Sequence, residues 1–184
     1  VFVVYYAGHG VMSTGSETDK SRFYLVPHDV TKMYEADEQL KKMGISANEI
    51  GDFSKNIKAE KQLFVIDACQ SGGAMQTLAM RGAAEEKAIA QLARSTGTYF
   101  IAASGSEQFA TEVAELGHGV FTYVFMDALK NADSSNGNKD GMTTIFELGA
   151  YIDELVPKVT QEEFNFAQIP QMNLQGNFPL GMIE

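Results

Sequence analysis

Two apolar runs constrain this chain more than any other feature. Val1-Phe2-Val3-Val4-Tyr5-Tyr6 leads into Ala7-Gly8-His9-Gly10, and Gln62-Leu63-Phe64-Val65-Ile66 leads into Asp67-Ala68-Cys69-Gln70-Ser71-Gly72-Gly73. Each run has the length and the β-branched and aromatic content of a buried strand. Each delivers one reactive side chain, an imidazole or the chain's single thiol, into a glycine-flanked turn at its carboxyl end. Open α/β sheets build their sites there, outside the carboxyl ends of the strands.

The rest of the pattern alternates strand-like and helical runs, as a sheet with helical crossovers requires. Phe23-Tyr24-Leu25-Val26 reads as a strand closing a hairpin-like excursion from the first. Ser46-Ala47-Asn48-Glu49 is a capping-box sequence opening a helix to about Lys58, which feeds the Cys69 strand. Thr98-Tyr99-Phe100-Ile101-Ala102-Ala103 is a third short strand, and residues 119–132 and 144–156 read as helices. The expected fold is α/β, one domain over 1–184, with neighbouring parallel strands bringing His9 and Cys69 together.

A packing cysteine would sit inside Leu63-Phe64-Val65-Ile66. Cys69 instead lies past that run, where Gly72 and Gly73 let other backbone approach. A thiolate attacks a carbonyl well, and a nearby imidazole favours its ionisation and then protonates the leaving amine. Sixty positions separate His9 from Cys69, so the two meet only through the fold.

At these two motifs the sequence resembles the caspase-like cysteine peptidases, in particular their metacaspase and paracaspase-like members. Tyr6-Ala7-Gly8-His9-Gly10 is similar to the family's His-Gly motif, and Asp67-Ala68-Cys69-Gln70-Ser71-Gly72 to its nucleophile motif. The resemblance continues in Phe23-Tyr24-Leu25-Val26-Pro27-His28-Asp29, in Ile101-Ala102-Ala103-Ser104-Gly105-Ser106-Glu107 and in Gly117-His118-Gly119-Val120-Phe121-Thr122-Tyr123. It implies a three-layer caspase-haemoglobinase-like fold, a mostly parallel sheet flanked by helices. It also implies endopeptidase activity, with Cys69 as nucleophile, His9 as general acid and base, and the N–H groups of Cys69 and Gly10 as oxyanion hole. In the family further strands precede the His-Gly motif, so a chain opening on Val1 in mid-strand is expected to be N-terminally incomplete.

Asp67 stands two positions before Cys69, on the same side of an extended backbone. In metacaspase-like relatives the matching Asp lines the pocket for Arg or Lys before the scissile bond, so a protein or peptide with a basic residue at the cleavage site is the expected substrate. Ser104 and Glu107 fall where the family's later strand end shapes the same pocket. The alternative for Asp67 is a carboxylate bonded to nearby backbone N–H groups. Residues 74–96 match the position of the family's linker between large and small segments, with Arg81, Lys87 and Arg94 as candidate self-cleavage sites; an intact Ala- and Glu-rich helix is the alternative.

Asn136-Gly137-Asn138-Lys139-Asp140-Gly141 and Glu147 have the spacing of an EF-hand loop, which makes Asn136, Asn138, Asp140 and Glu147 candidate calcium ligands. Thr144-Ile145-Phe146-Glu147 is equally a capping box, which explains Glu147 without metal. The proposed chemistry itself requires no cofactor.

Composition bounds the alternatives. The net charge is −10, with no basic cluster to track phosphates, so nucleic acid is not an expected partner. One cysteine permits no internal disulfide and suits a reducing compartment. No apolar stretch reaches the roughly 18 residues of a spanning helix, and no charged segment precedes Val1 as a signal peptide would need, so a cytoplasmic setting is expected. A caspase-like binding module without proteolysis, or another Cys-His acyl transfer of the amidase type, would use the same motifs; the second would not need Asp67.

Overall fold

The computed structural model describes residues 1–14, 23–32, 36–69, 99–103, 119–174 and 176–182, with the main chain alone for Met12, Cys69 and Met182. In chain order the elements are β1 (Phe2–Met12), β2 (Phe23–Val26), α1 (Asp37–Met43), β3 (Ile45–Ser46), α2 (Ala47–Asn56), β4 (Gln62–Cys69), β5 (Tyr99–Ala102), α3 (Val120–Asn136), β6 (Met142–Thr144), α4 (Ile145–Phe164), β7 (Gln171–Asn173) and β8 (Pro179–Met182). Six strands form one sheet in the order β3-β2-β1-β4-β5-β7, and β6 pairs with β8 apart from it. The three central strands β1, β4 and β5 run parallel. Antiparallel pairings extend that centre at both edges, through β2 and β3 on one side and β7 on the other.

The period of two in β4 divides its apolar residues between two helical layers. Leu63 and Val65 pack with Val120, Phe121 and Val124 of α3 and with Ile145, Leu148 and Ile152 of α4. Phe64 and Ile66 pack on the opposite face with Ala47 and Ile50 of α2. Leu63, Phe64, Val65 and Ile66 are all at most 3% exposed. Burying each such side chain contributes about 1.5–3 kcal/mol, so β4 is anchored along its length and its carboxyl end is a fixed platform. The result is the three-layer α/β arrangement expected from the sequence.

The first apolar run is less enclosed than its composition suggests. Val4 and Tyr6 join the α2-side cluster, whereas Val1, Val3 and Tyr5 remain 64%, 48% and 45% exposed. The reason is coverage: β2 pairs with β1 only over His9–Met12. Among the described residues, the earlier part of β1 has β4 on one side and no strand on the other.

Helix starts follow the sequence closely. The Ser46 hydroxyl accepts the Glu49 N–H while the Glu49 carboxylate accepts the Ser46 N–H, completing the capping box of α2. Thr144 and Glu147 do the same for α4. α3 differs, since its N-cap is Gly119, which has no side chain to offer. Farther along, Tyr151 of α4 donates to Asp127 of α3 at 2.5 Å and ties the two helices together. Burial first, then that bond and the Asp127 charge, push the Tyr151 phenol up to about 12.

Candidate active site

β1 and β4 are in unbroken parallel register from Phe2 opposite Gln62 to His9 opposite Cys69. Adjacent strands lie roughly 4.8 Å apart, so this register brings the two main chains together at the last pair of the ladder. Neither residue sits in a turn, as the glycines had suggested. β1 runs on through His9 to Met12, and β4 extends to Cys69 itself. Pairing with β2 carries β1 beyond the end of β4, and each β1 residue from His9 to Met12 finds a partner there.

The glycines beside His9 serve close packing instead of a turn. A Cβ at Gly8 would lie 2.6 Å from the Tyr6 hydroxyl, and one at Gly10 would lie 2.7 Å from the Phe23 ring. The Tyr6 hydroxyl occupies the space over Gly8, shared as donor between the carbonyls of His9 (2.9 Å) and Val26 (3.0 Å) and accepting from the Val26 N–H. His9 itself is exposed, and Gly10 is buried.

Asp67 lies on the α3 side of β4, like Leu63 and Val65 before it. Its carboxylate accepts both the hydroxyl and the main-chain N–H of Thr122, the third residue of α3. The charge thus faces the start of a helix whose own N-cap is bare, where a carboxylate is favoured. A strand residue therefore supplies the cap, from fifty-five positions away in sequence. Burial nevertheless outweighs both bonds and pushes the Asp67 carboxyl up from its ordinary value. Among the described residues no Lys or Arg forms an ion pair with it. What the arrangement offers is a partly buried carboxylate with unused acceptor capacity, on the strand that ends in the thiol.

Ser104, Glu107, His118, and the 74–96 segment with Arg81, Lys87 and Arg94 lie outside the described residues. The loop between α3 and β6 is described, and its polar groups bond its own backbone and neighbouring side chains. Glu147 uses one oxygen for the Asn138 N–H and the other for the N–H and hydroxyl of Thr144. Asp140 accepts from the Met142 N–H and the Asn138 side chain, and Asn136 donates to Glu154. The loop is gathered by a residue the motif does not include: buried Asp133 accepts the N–H groups of Asp140 and Gly141, both at 3.1 Å. Among the described residues no three His, Cys, Asp or Glu side chains are grouped as a metal ion needs. In this arrangement the candidate calcium ligands Asn136, Asn138, Asp140 and Glu147 are each engaged in hydrogen bonds within the protein.

Tyr5, Tyr6, Thr122 and Asp133 are the residues of this region that sequence reasoning missed. Tyr5 shares its strand face with His9 by parity, and Thr122 falls at the third helical position after a glycine N-cap. Those are the signals that could have found Tyr5 and Thr122.

Among the described residues no helix is long and apolar enough to cross a membrane. Comparison with curated proteins gives no match. The family model Peptidase C14, described as a caspase domain, matches residues 1–178, a span that includes the His9 and Cys69 strands, Asp67 and the α3–α4 layer. The chain therefore belongs to the caspase-domain family of cysteine peptidases.

Proposed function

We propose that this chain is a metacaspase-like endopeptidase that hydrolyses peptide bonds after Arg or Lys through a Cys69–His9 dyad. The observation that carries the reading is the register pairing of His9 with Cys69 at the end of the β1/β4 ladder. It gives a thiol and an imidazole adjacent backbone positions without any further structural requirement.

The chemistry runs in two halves. The Cys69 thiolate attacks the substrate carbonyl carbon, and the oxygen takes up negative charge facing the N–H groups of Cys69 and Gly10. Fixed donors of this kind are each worth a few kcal/mol in the transition state. His9, protonated, gives its proton to the leaving amine as the C–N bond breaks and the thioester remains. Water then loses a proton to His9 and attacks the thioester, releasing the new carboxyl end and the Cys69 thiol.

Asp67 supports the basic preference. A carboxylate withdrawn from water is costly unless a cation meets it, and among the described residues none does. An Arg or Lys side chain of the substrate would supply that charge. A single cysteine remains a free thiol in the reducing cytoplasm, the setting this reading favours.

Fluorogenic peptides with Arg, Lys or Asp before the reporter test the reading on the native chain, Cys69→Ala and Asp67→Ala. Cleavage after Arg and Lys is expected from the native chain, none from Cys69→Ala, and a selective loss from Asp67→Ala. Cleavage after Asp, or basic cleavage indifferent to Asp67→Ala, would overturn it.

A further inference from the structure

The Thr122 hydroxyl of α3 holds Asp67, and the Tyr5 hydroxyl of β1 backs Thr122 in turn. A threonine hydroxyl has one proton, and Thr122 gives it to Asp67 Oδ2. At the 2.5 Å contact between Thr122 Oγ1 and the Tyr5 hydroxyl, the phenol must therefore be the donor. The order is Tyr5 to Thr122 to Asp67, running from β1 through α3 to β4. Tyr5 is fixed at a second point as well, its ring stacked on Phe125 of α3 with centroids 6.3 Å apart. That is an unusual commitment for a side chain left 45% exposed.

The relay has a chemical consequence. Each hydroxyl points its proton toward the carboxylate, so the chain favours the ionised form and holds one oxygen at the start of α3. Carboxylate acceptor sites beyond those used by Thr122 stay available. Tyr5 is a titratable group that senses the Asp67 charge: burial first, and that charge in addition, raise its phenol. The phenol therefore stays protonated, and the donor, through the neutral pH range.

We propose that Thr122 and Tyr5 are positioning residues for Asp67, fixing its carboxylate so that it meets the basic side chain of a peptide substrate. This rests on the reading of Asp67 as the basic-residue determinant. It adds that recognition depends on α3 and β1 as well as on β4. Lost positioning should weaken binding of basic substrates more than the chemical step, because neither hydroxyl touches the scissile bond.

The test uses Thr122→Val, Thr122→Ser and Tyr5→Phe in the full chain, each checked for native melting. With Arg and Lys peptides, Thr122→Val is expected to raise KM about tenfold with kcat changed less, the loss of one hydrogen bond to a charged group. Thr122→Ser should restore it, and Tyr5→Phe should fall between. In parallel, the Asp67 side-chain carboxyl is titrated by NMR, which needs no activity. Its midpoint is expected to move up in Thr122→Val and return in Thr122→Ser. An unchanged KM and an unchanged midpoint in a folded Thr122→Val would overturn the proposal, as would a fall in kcat alone. If the native chain cleaves no basic peptide, the proposed specificity fails on its own, and the titration still decides whether Thr122 governs Asp67.

Discussion

The Tyr6 hydroxyl holds the main-chain carbonyl of His9 from three residues away, at 2.9 Å, and the missing side chain of Gly8 leaves room for it. Burial raises the Tyr6 phenol, so it remains a donor through the neutral range.

Tyr6→Phe removes that donor and the acceptor of the Val26 N–H together. The expected cost is about 1–3 kcal/mol in denaturant unfolding, the range for leaving buried polar groups unmet. Gly8→Ala is expected to act on His9 as well as on stability, because a Cβ 2.6 Å from the Tyr6 hydroxyl displaces it from His9 and Val26. A shift of about 1 Å at a reacting group can cost about a hundredfold in rate, so kcat/KM should fall by at least tenfold, with a loss of stability like that of Tyr6→Phe. An active Gly8→Ala enzyme with native kinetics would show that His9 does not depend on this contact.

How much of this was legible beforehand depends on the range of the interaction. The β4 strand could be read because Leu63-Phe64-Val65-Ile66 is apolar on both faces, and both faces are covered by helices. Both capping boxes could be read because donor and acceptor lie three residues apart, as Ser46 and Glu49 do. The Thr122–Asp67 bond could not, since it spans fifty-five positions and depends on how α3 packs against the sheet. Gly8 and Gly10 misled for a related reason. In sequence a glycine signals a turn, but here the cause is the approach of two rings, one of them from another strand. The edge strands β3 and β7, of two and three residues, are too short to carry any periodicity.

The loop from Asn136 to Glu147 yields a sharper expectation about calcium than its spacing did. Its carboxylates are engaged by backbone N–H groups, and Asp133 holds two of them from a buried position. Millimolar calcium is therefore expected to leave the melting temperature unchanged. Asp133→Ala should lower stability by about 2–3 kcal/mol, because the Asp140 and Gly141 N–H groups lose a charged acceptor. A calcium-dependent rise in melting temperature, lost in Asp140→Asn, would show instead that the loop reorganises around the ion.

Thr144→Ala should cost about 1 kcal/mol, the usual worth of an N-cap side chain, and should also change how stability depends on pH. Burial alone would raise the Glu147 carboxyl, but the bonds from the Asn138 N–H and from the N–H and hydroxyl of Thr144 outweigh it and hold it below its ordinary value. A depressed carboxyl contributes stability that is present above its unfolded value, about 4.3, and is lost as pH falls through the folded one. Between neutral pH and pH 3, the stability gap between native and Thr144→Ala is therefore expected to narrow. A gap that stays constant in urea titrations would mean the hydroxyl acts without the carboxylate.

Asp67 carries the opposite sign. Burial raises its carboxyl above the unfolded value, so the folded chain binds the proton more tightly than the unfolded one. Its effect on stability is most favourable below about pH 3.9, the unfolded value, and worsens as pH rises through the folded one. At neutral pH the charge is thus a net cost despite its two bonds to Thr122. Asp67→Asn keeps an oxygen to accept from Thr122 while removing that charge. The expected result is a melting temperature at pH 7 equal to or above native, a smaller gain or none at pH 4, and loss of cleavage after Arg and Lys. A marked destabilisation of Asp67→Asn at neutral pH would make the residue a helix cap first and remove the energetic argument for a cation-binding role.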